Sequence, residues 1–331
     1  MKKKYLAFEV SEDTSGIFVN KIVEKELSED IPEGNVLINV KYSSLNYKDA
    51  LSANGNKGVT RKYPHVPGID AAGTVEVSNS ALWKSGDQVL VTGFDLGMNT
   101  NGGFGQFITV PESWIVRLSP ELSVREAMIY GTAGFTAGLS VQALLRNGIT
   151  PEKGVVAVSG STGGVGSLAV AILAKLGFQM AAISSKEDAI SFLKSLGADK
   201  IVARNGFEDR SGKALLKPQF AAAIDTVGGN ILATLIKSLH YEGVVTTCGM
   251  VGGGELNTSV FPFILKGIQL IGIDSVEIPL EKRLSVWEHL ASDWKPGQLN
   301  DLAHNISLAE LPEHIDRIYT GKMKGRAVLE L

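Results

Sequence analysis

Residues Val155-Val156-Ala157-Val158-Ser159 form a nearly continuous apolar run that passes straight into Gly160-Ser161-Thr162-Gly163-Gly164-Val165-Gly166. A run without polar alternation is what a strand buried on both faces requires. Glycines at 160, 163, 164 and 166 let the backbone turn tightly and come close to whatever it faces. The sequence predicts a helix over 167–176, stopped by Gly177. Strand, glycine turn and helix in direct succession commit this part of the chain to a β-α-β unit. They also aim a helix N-terminus, with its bare amides and positive dipole end, at the turn.

The alternation continues downstream. Strands are expected over 179–183, 200–202, 220–224, 243–247 and 269–273. Helices are expected from Ser184-Ser185-Lys186-Glu187 to Gly197, and over 230–239. That order implies an α/β domain with a doubly wound parallel sheet. Residues up to about 120 read differently. Segments 36–40, 73–77 and 88–91 look like short strands, punctuated by Gly, Pro and Asn, as in a small, partly open barrel or sandwich. Ser123-Val124-Arg125-Glu126 has the form of a capping box that opens a helix. An amphipathic helix over 281–290 and a strand over 325–331 complete the chain. At 331 residues, two domains are expected.

The formal net charge of −3 offers no electrostatic reason for a nucleic-acid or anionic membrane partner. No stretch is expected to reach the roughly 18 apolar residues of a bilayer span, and the run over 261–273 is interrupted by Lys266. Met1-Lys2-Lys3-Lys4 starts like a signal peptide, but the apolar run after it is cut short by Glu9. The single cysteine, Cys248, can form neither an internal disulfide nor a cysteine-rich metal site. A cytoplasmic protein is expected.

A glycine fingerprint alone is a weak signal. Between a buried strand and a helix it has the context of a dinucleotide site, with Gly160, Thr162, Gly163, Gly164, Val165 and Gly166 around a pyrophosphate. A tight turn without a ligand is the alternative. NAD sites place Asp or Glu about 20 residues beyond the glycines, on the ribose hydroxyls. Here the second strand is followed by Ser184, Ser185 and Lys186, and Arg204 follows the third. Hydroxyls and cations suit a 2′-phosphate, which a carboxylate would repel, so NADPH is expected. The competing register makes Glu187 or Asp188 the ribose acid. Both are also ordinary residues for the first turn of a helix.

Ordered segments along nearly the whole chain resemble one family. They are Ser43-Ser44-Leu45-Asn46-Tyr47-Lys48-Asp49, Val66-Pro67-Gly68-Ile69-Asp70-Ala71-Ala72-Gly73, Gly86-Asp87-Gln88-Val89 and Gly102-Gly103-Phe104-Gly105-Gln106. Further on come Gly131-Thr132-Ala133-Gly134-Phe135-Thr136-Ala137, the glycine turn, Ile224-Asp225-Thr226-Val227-Gly228-Gly229 and Gly272-Ile273-Asp274-Ser275. The chain resembles the zinc-free quinone oxidoreductase branch of the medium-chain dehydrogenase/reductase superfamily, and within it the acrylyl-CoA reductase-like group. The resemblance implies a GroES-like β-rich catalytic domain over 1–124, completed by 279–331, and a Rossmann domain over 125–278. It implies that Asn46, Tyr47 and Asp49 lie near the nicotinamide, and Ser184, Lys186 and Arg204 near the 2′-phosphate. Thr132, Met250, Ile264, Ser275 and Arg326 are further expected cofactor contacts.

Zinc-dependent relatives carry a Cys near the Asn46–Asp49 segment and Gly-His-Glu where this chain has Gly68-Ile69-Asp70. Those ligand types are missing, and the five histidines show no metal-ligand spacing. Without a strong Lewis acid, conjugated acceptors are the easier substrates, because their charge spreads into an enolate or quinol. The expected reaction is hydride transfer from NADPH to a quinone or an α,β-unsaturated thioester such as acrylyl-CoA, with Tyr47 or backbone amides stabilising the oxyanion. Reduction of free enones or aldehydes is an alternative, as is a sensor that holds NADPH without turnover. Tyr47 can equally be a packing residue, and Asn46 and Asp49 can be turn or cap residues. Lys57, Arg61 and Lys62 can meet coenzyme A phosphates or simply form a solvated loop. The strand over 269–273, as a sheet edge, is expected to pair with a second copy in a homodimer.

Overall fold

The computed structural model describes residues 3–28 and 30–331; Met1 and Lys2, which open the basic N-terminal run, lie outside it with Glu29. The chain forms two compact units, Met1–Thr132 with Asn300–Leu331, and Ala133–Leu299.

The first unit opens with a hairpin of β1 (Lys4–Glu12) and β2 (Phe18–Glu26), whose turn is tied by the Asp13 carboxylate accepting from the amides of Ser15 and Ile17. Next come β3 (Asn35–Ser44), α1 (Tyr47–Ala53), β4 (Asp70–Ser78), β5 (Gln88–Thr92), β6 (Phe107–Pro111), β7 (Ile115–Arg117) and α2 (Val124–Arg146). β3 organises this unit. Its N-terminal half pairs with both β4 and β6, and its last residues pair with the C-terminal strand. Its side chains alternate as a two-sided strand requires. Val36, Ile38 and Val40 join a core with Val75, Val89 and Val91, while Leu37 packs with Ile31 and Phe107 on the other face. α2 begins at the expected capping box, where the Ser123 amide donates to Glu126 Oε2 (2.9 Å) and the Glu126 amide donates to Ser123 Oγ (3.1 Å). It is broken at Gly131, whose φ of 48° and ψ of −155° are not helical.

The second unit holds β8 (Val156–Ser159), α3 (Gly164–Lys175), β9 (Met180–Ser184), α4 (Ile190–Ser195), β10 (Lys200–Ala203) and β11 (Phe220–Asp225). α5 (Gly229–Lys237), β12 (Leu239–Thr247), α6 (Phe261–Lys266), β13 (Gln269–Gly272) and α7 (Leu280–Ala291) follow. The six strands lie parallel in the order β10-β9-β8-β11-β12-β13. This is the doubly wound Rossmann arrangement, in which the order reverses between β8 and β11. β8 and β9 are buried throughout, as their apolar runs require. α3 starts three residues earlier than the apolar spacing suggests, because Gly163 takes the N-cap position. The helix expected from Ser184 is delayed: Glu187–Ala189 form a 3-10 turn before α4.

The chain then returns to the first unit with β14 (Ala303–Ile306), α8 (Leu311–Tyr319) and β15 (Arg326–Glu330), the last pairing with β14 and β3. Both unit boundaries fall later than the sequence places them. Arg125, at the start of α2, binds Asn300 and Asn305, and so holds that end of the helix in the first unit. α7 stays with the second unit because Trp287 stacks on Phe135 (5.9 Å between centroids) and the Arg283 guanidinium covers the same ring. Against expectation, α2 is long and apolar enough to cross a membrane, but 83% of its apolar window is buried in the protein. It is the core helix of a globular fold.

Candidate functional site

Two constellations of polar residues stand out, one in each unit. In the second unit, β8 runs out at Ser159 into the turn that starts α3. Gly160 has a φ of 57°, and a Cβ there would lie 2.3 Å from Thr226 Oγ1; one at Gly166 would lie 2.3 Å from the Gly160 carbonyl. Only glycine fits at either place, so the backbone of the turn and the first turn of α3 lie bare and close together. Gly163, Gly164 and Val165 remain accessible in an otherwise buried segment, Thr162 being 6% exposed. The amides that open α3 have no acceptor within the helix and point toward the reversal in strand order. This is a fit for a dinucleotide pyrophosphate, and it is built by main chain rather than by side chains.

A buried carboxylate sets the neighbouring turn. Asp225, at the end of β11, accepts from Ser159 Oγ (2.7 Å), Thr247 Oγ1 (3.0 Å) and the amides of Val227 (3.3 Å) and Gly228 (2.9 Å). It thereby ties the ends of β8, β11 and β12 together beneath the glycine turn. Next to it, burial and then the Asp225 carboxylate push the Cys248 thiol up to about 12, so this cysteine is no nucleophile.

Beyond β9, main-chain amides bring Lys186 and Arg204 next to Ser184. Ser184 Oγ accepts from the Lys186 amide (3.0 Å), and the Ser184 carbonyl accepts from the Arg204 amide (2.8 Å). Arg204 leans on Glu208 at 3.4 Å. Ser185, Glu187 and Asp188 are exposed. Elsewhere in the unit, Met250 and Ile264 are 76% and 73% exposed, and Ser275 Oγ accepts from Thr136 Oγ1 (2.9 Å).

In the first unit, Asn46, Asp49, Asp70, Thr132 and Arg326 form one buried network. Asn46 caps α1, and its amide donates to Asp49 Oδ2 at 2.7 Å. Asp49 Oδ1 accepts from the amides of Gly68 (3.1 Å) and Ile69 (2.9 Å). Burial, and then the neighbouring Asp70 carboxylate, push Asp49 up to about 7 against the pull of these three amides. Asp70 accepts from Ser44 Oγ (2.6 Å), Asn46 Nδ2 (2.7 Å) and Thr132 Oγ1 (2.6 Å). Arg326 donates to the carbonyls of Ile129 and Leu45 (both 3.0 Å) and to Asn46 Oδ1 (3.2 Å). Tyr47, 40% exposed, stacks on Tyr319 with 6.4 Å between centroids.

Asn46, Asp49 and Thr132 are thus brought into one network, Thr132 by way of Asp70. Arg326, expected among the cofactor contacts, is 2% exposed, and its guanidinium links strand ends to the α2 break. Asp70 and Ser44 belong to the network too. Both lie in segments that carry the family resemblance, but nothing within either segment shows that the two meet. The carboxylates of Asp49 and Asp70 accept from internal donors on both oxygens. Among the described residues no group of three or more His, Cys, Asp or Glu is placed to hold a metal ion. His65 Nε2 pairs with the Gly97 carbonyl (2.9 Å) and His314 Nδ1 with the Glu310 carbonyl (3.0 Å). Lys57 is engaged by Glu12 and lies over the rings of Phe18 and Tyr63, whereas Arg61 and Lys62 are exposed.

Two outcomes follow from this geometry. Gly166→Ala forces α3 away from the turn and should weaken dinucleotide binding by about tenfold or more, roughly 1.4 kcal/mol. Fluorescence titration of the reduced cofactor, with circular dichroism to verify the fold, measures it; an unchanged affinity contradicts the cradle. Asp49 should be visible in the pH dependence of stability. Its folded-state pKa lies above the unfolded one, so the folded chain holds the extra proton between about pH 4 and pH 7. Stability from this group is therefore lost as pH rises through that window. Thermal melts should show wild type losing more, relative to Asp49→Asn, between pH 5 and pH 8.

Residues 32–120 match the family described as "Alcohol dehydrogenase GroES-like domain", and residues 164–291 match "Zinc-binding dehydrogenase". The chain is 45% identical to the Putative quinone oxidoreductase YhfP of Bacillus subtilis, over 92% of each protein. It is 42% identical to the Probable acrylyl-CoA reductase AcuI of Escherichia coli, over 91% of this chain and 92% of that one. The structure superposes on yhdH from Salmonella enterica in complex with NADP with a TM-score of 0.93 at 42% identity, covering 99% of this chain and all (100%) of that one. It superposes on B. subtilis yhfP with NAD bound with a TM-score of 0.95, also at 42% identity and with the same coverage. With its GroES-like and Rossmann domains, the chain belongs to the zinc-free quinone oxidoreductase branch of the medium-chain dehydrogenase/reductase superfamily, alongside the acrylyl-CoA reductases.

Proposed function

We propose that this protein is an NADPH-dependent reductase of conjugated acceptors, a quinone or an α,β-unsaturated thioester such as acrylyl-CoA. The observation that carries this reading is the bare cradle at Gly160 and Gly166, set where the strand order reverses and opening onto the start of α3. The reduced nicotinamide, when bound, supplies the hydride. The chain's own residues do the rest. The amides that open α3 neutralise the pyrophosphate. Ser184, Lys186 and Arg204, gathered at the ends of β9 and β10, favour a 2′-phosphate over a bare ribose. Glu187 and Asp188, which could favour NAD, sit beyond the strand end in an exposed 3-10 turn.

Tyr47 is the polar group at the accessible end of α1. Its hydroxyl donates to the oxygen on which charge develops as the acceptor takes up hydride at its conjugated carbon. An acceptor that spreads its own charge needs no stronger electrophile than such a hydrogen bond. Names among the relatives, quinone oxidoreductase and acrylyl-CoA reductase, describe acceptors of this kind.

Oxidation of NADPH and NADH should be followed side by side with acrylyl-CoA, crotonyl-CoA, a small benzoquinone and an alcohol/NADP⁺ control. NADPH with at least one conjugated acceptor should outpace NADH, and Lys186→Ala should close that gap by about tenfold, the size of one lost charge-assisted contact. Turnover of the alcohol alone would overturn the assignment. A homodimer through the edge strand β13 belongs to the same proposal, since β13 has a paired neighbour on one side only. Sedimentation should give twice the chain mass at micromolar concentration, and a monomer alone would contradict it.

A further inference from the structure

Asp70 is fully buried, yet its carboxylate is tied to the capped start of α1, where Tyr47 lies. Its carboxylate accepts from Ser44 Oγ and Asn46 Nδ2 at the end of β3, and from both the amide (2.9 Å) and hydroxyl (2.6 Å) of Thr132 past the break in α2. Asn46 is gripped from both ends, its Nδ2 by Asp70 and its Oδ1 by Arg326 (3.2 Å), and the next residue is Tyr47. Gly131 permits the arrangement. A Cβ there would lie 2.3 Å from Asp70 Oδ2 and 2.4 Å from Ser44 Oγ, so the helix backbone rests directly on the carboxylate. Arg326 Nη2, buried and without a hydrogen-bond partner, stops 3.9 Å short of Asp70 Oδ2. The anion is therefore held by the residues it orients rather than by a close ion pair.

Stability alone does not explain this hub, because buried ionic groups can be replaced by apolar ones of like volume at little or no cost. We propose that Asp70 is a positioning residue for hydride transfer: by accepting from Asn46 and Thr132 at once, it sets the start of α1, with Tyr47, relative to Thr132. This rests on the reductase reading above. Asp70 touches neither cofactor nor acceptor, since its oxygens are spent on internal donors and none is exposed.

Asp70→Glu separates the two roles. It keeps a negative charge opposite Arg326 but carries the acceptor oxygens about one C–C bond further, a displacement of the order that costs about 10²-fold in rate when reacting groups are misplaced. The variant is expected to melt lower, because an extra methylene must fit a fully buried site, but to stay folded at assay temperature and to bind NADPH within a factor of about two by fluorescence titration. Its kcat with the best conjugated acceptor should fall by tenfold to a hundredfold, roughly. A kcat equal to wild type in the folded variant overturns the proposal while leaving the reductase reading intact. A wild-type protein that oxidises NADPH with none of the acceptors overturns both. Should Asp70→Glu fail to fold, Thr132→Val removes one bond of the hub without altering volume. It must then lower kcat by about tenfold, and a wild-type kcat in that variant overturns the proposal equally.

Discussion

The Asp70 carboxylate imposes more on its unit than any apolar contact does. An anion cannot be buried at tolerable cost unless donors surround it, so the chain must deliver donors from wherever they lie. Here they come from the end of β3 and from the break in α2, with Arg326 of β15 behind them. The break at Gly131, the small Ser44 and the capped start of α1 all follow from that requirement. Removing one partner of such a network typically costs about 3–5 kcal/mol. Asp225 obeys the same rule in the other unit, where one buried carboxylate gathers the ends of three strands. In both places a carboxylate at a strand end determines the path of the loops beyond it.

The two constellations divide the chemistry between different kinds of group. The glycine turn offers a ligand main-chain amides, which carry no titratable charge and cannot be repacked. The Asp49–Asp70–Arg326 network presents almost nothing outward. It holds two acids against one cation, and burial leaves Asp49 carrying its proton near neutrality. A reaction that spreads charge over a conjugated acceptor suits this division, since no residue must become a strong electrophile.

Much of the fold was legible because its signals are contiguous. The run into Gly160, the strand–helix alternation after it and the capping box at Ser123 each lie within a few residues, and each appears in the structure. The start of α3 was misplaced because glycines hide a helix from apolar spacing, although Gly163 caps it well. Where the units divide depends on contacts such as Phe135 with Trp287, far apart in sequence. The site divides in the same way. Asn46, Asp49 and the glycines lie in recognisable segments. Asp70 is defined by Thr132, 62 positions away, and Arg326 bonds Leu45 and Asn46, about 280 positions before it. Pairings of that range leave no mark in any short window.

Cys248 has a meaning beyond its packing. Quinones and unsaturated thioesters are electrophiles that add to thiolates, so any protein that handles them risks being alkylated by its own substrates. This chain has one cysteine, and burial beside Asp225 keeps it in the unreactive thiol form far above neutral pH. In a reductase of the proposed kind, burial, and after it the carboxylate that secures the glycine turn, would thus also shield the molecule from self-inflicted arylation and acylethylation.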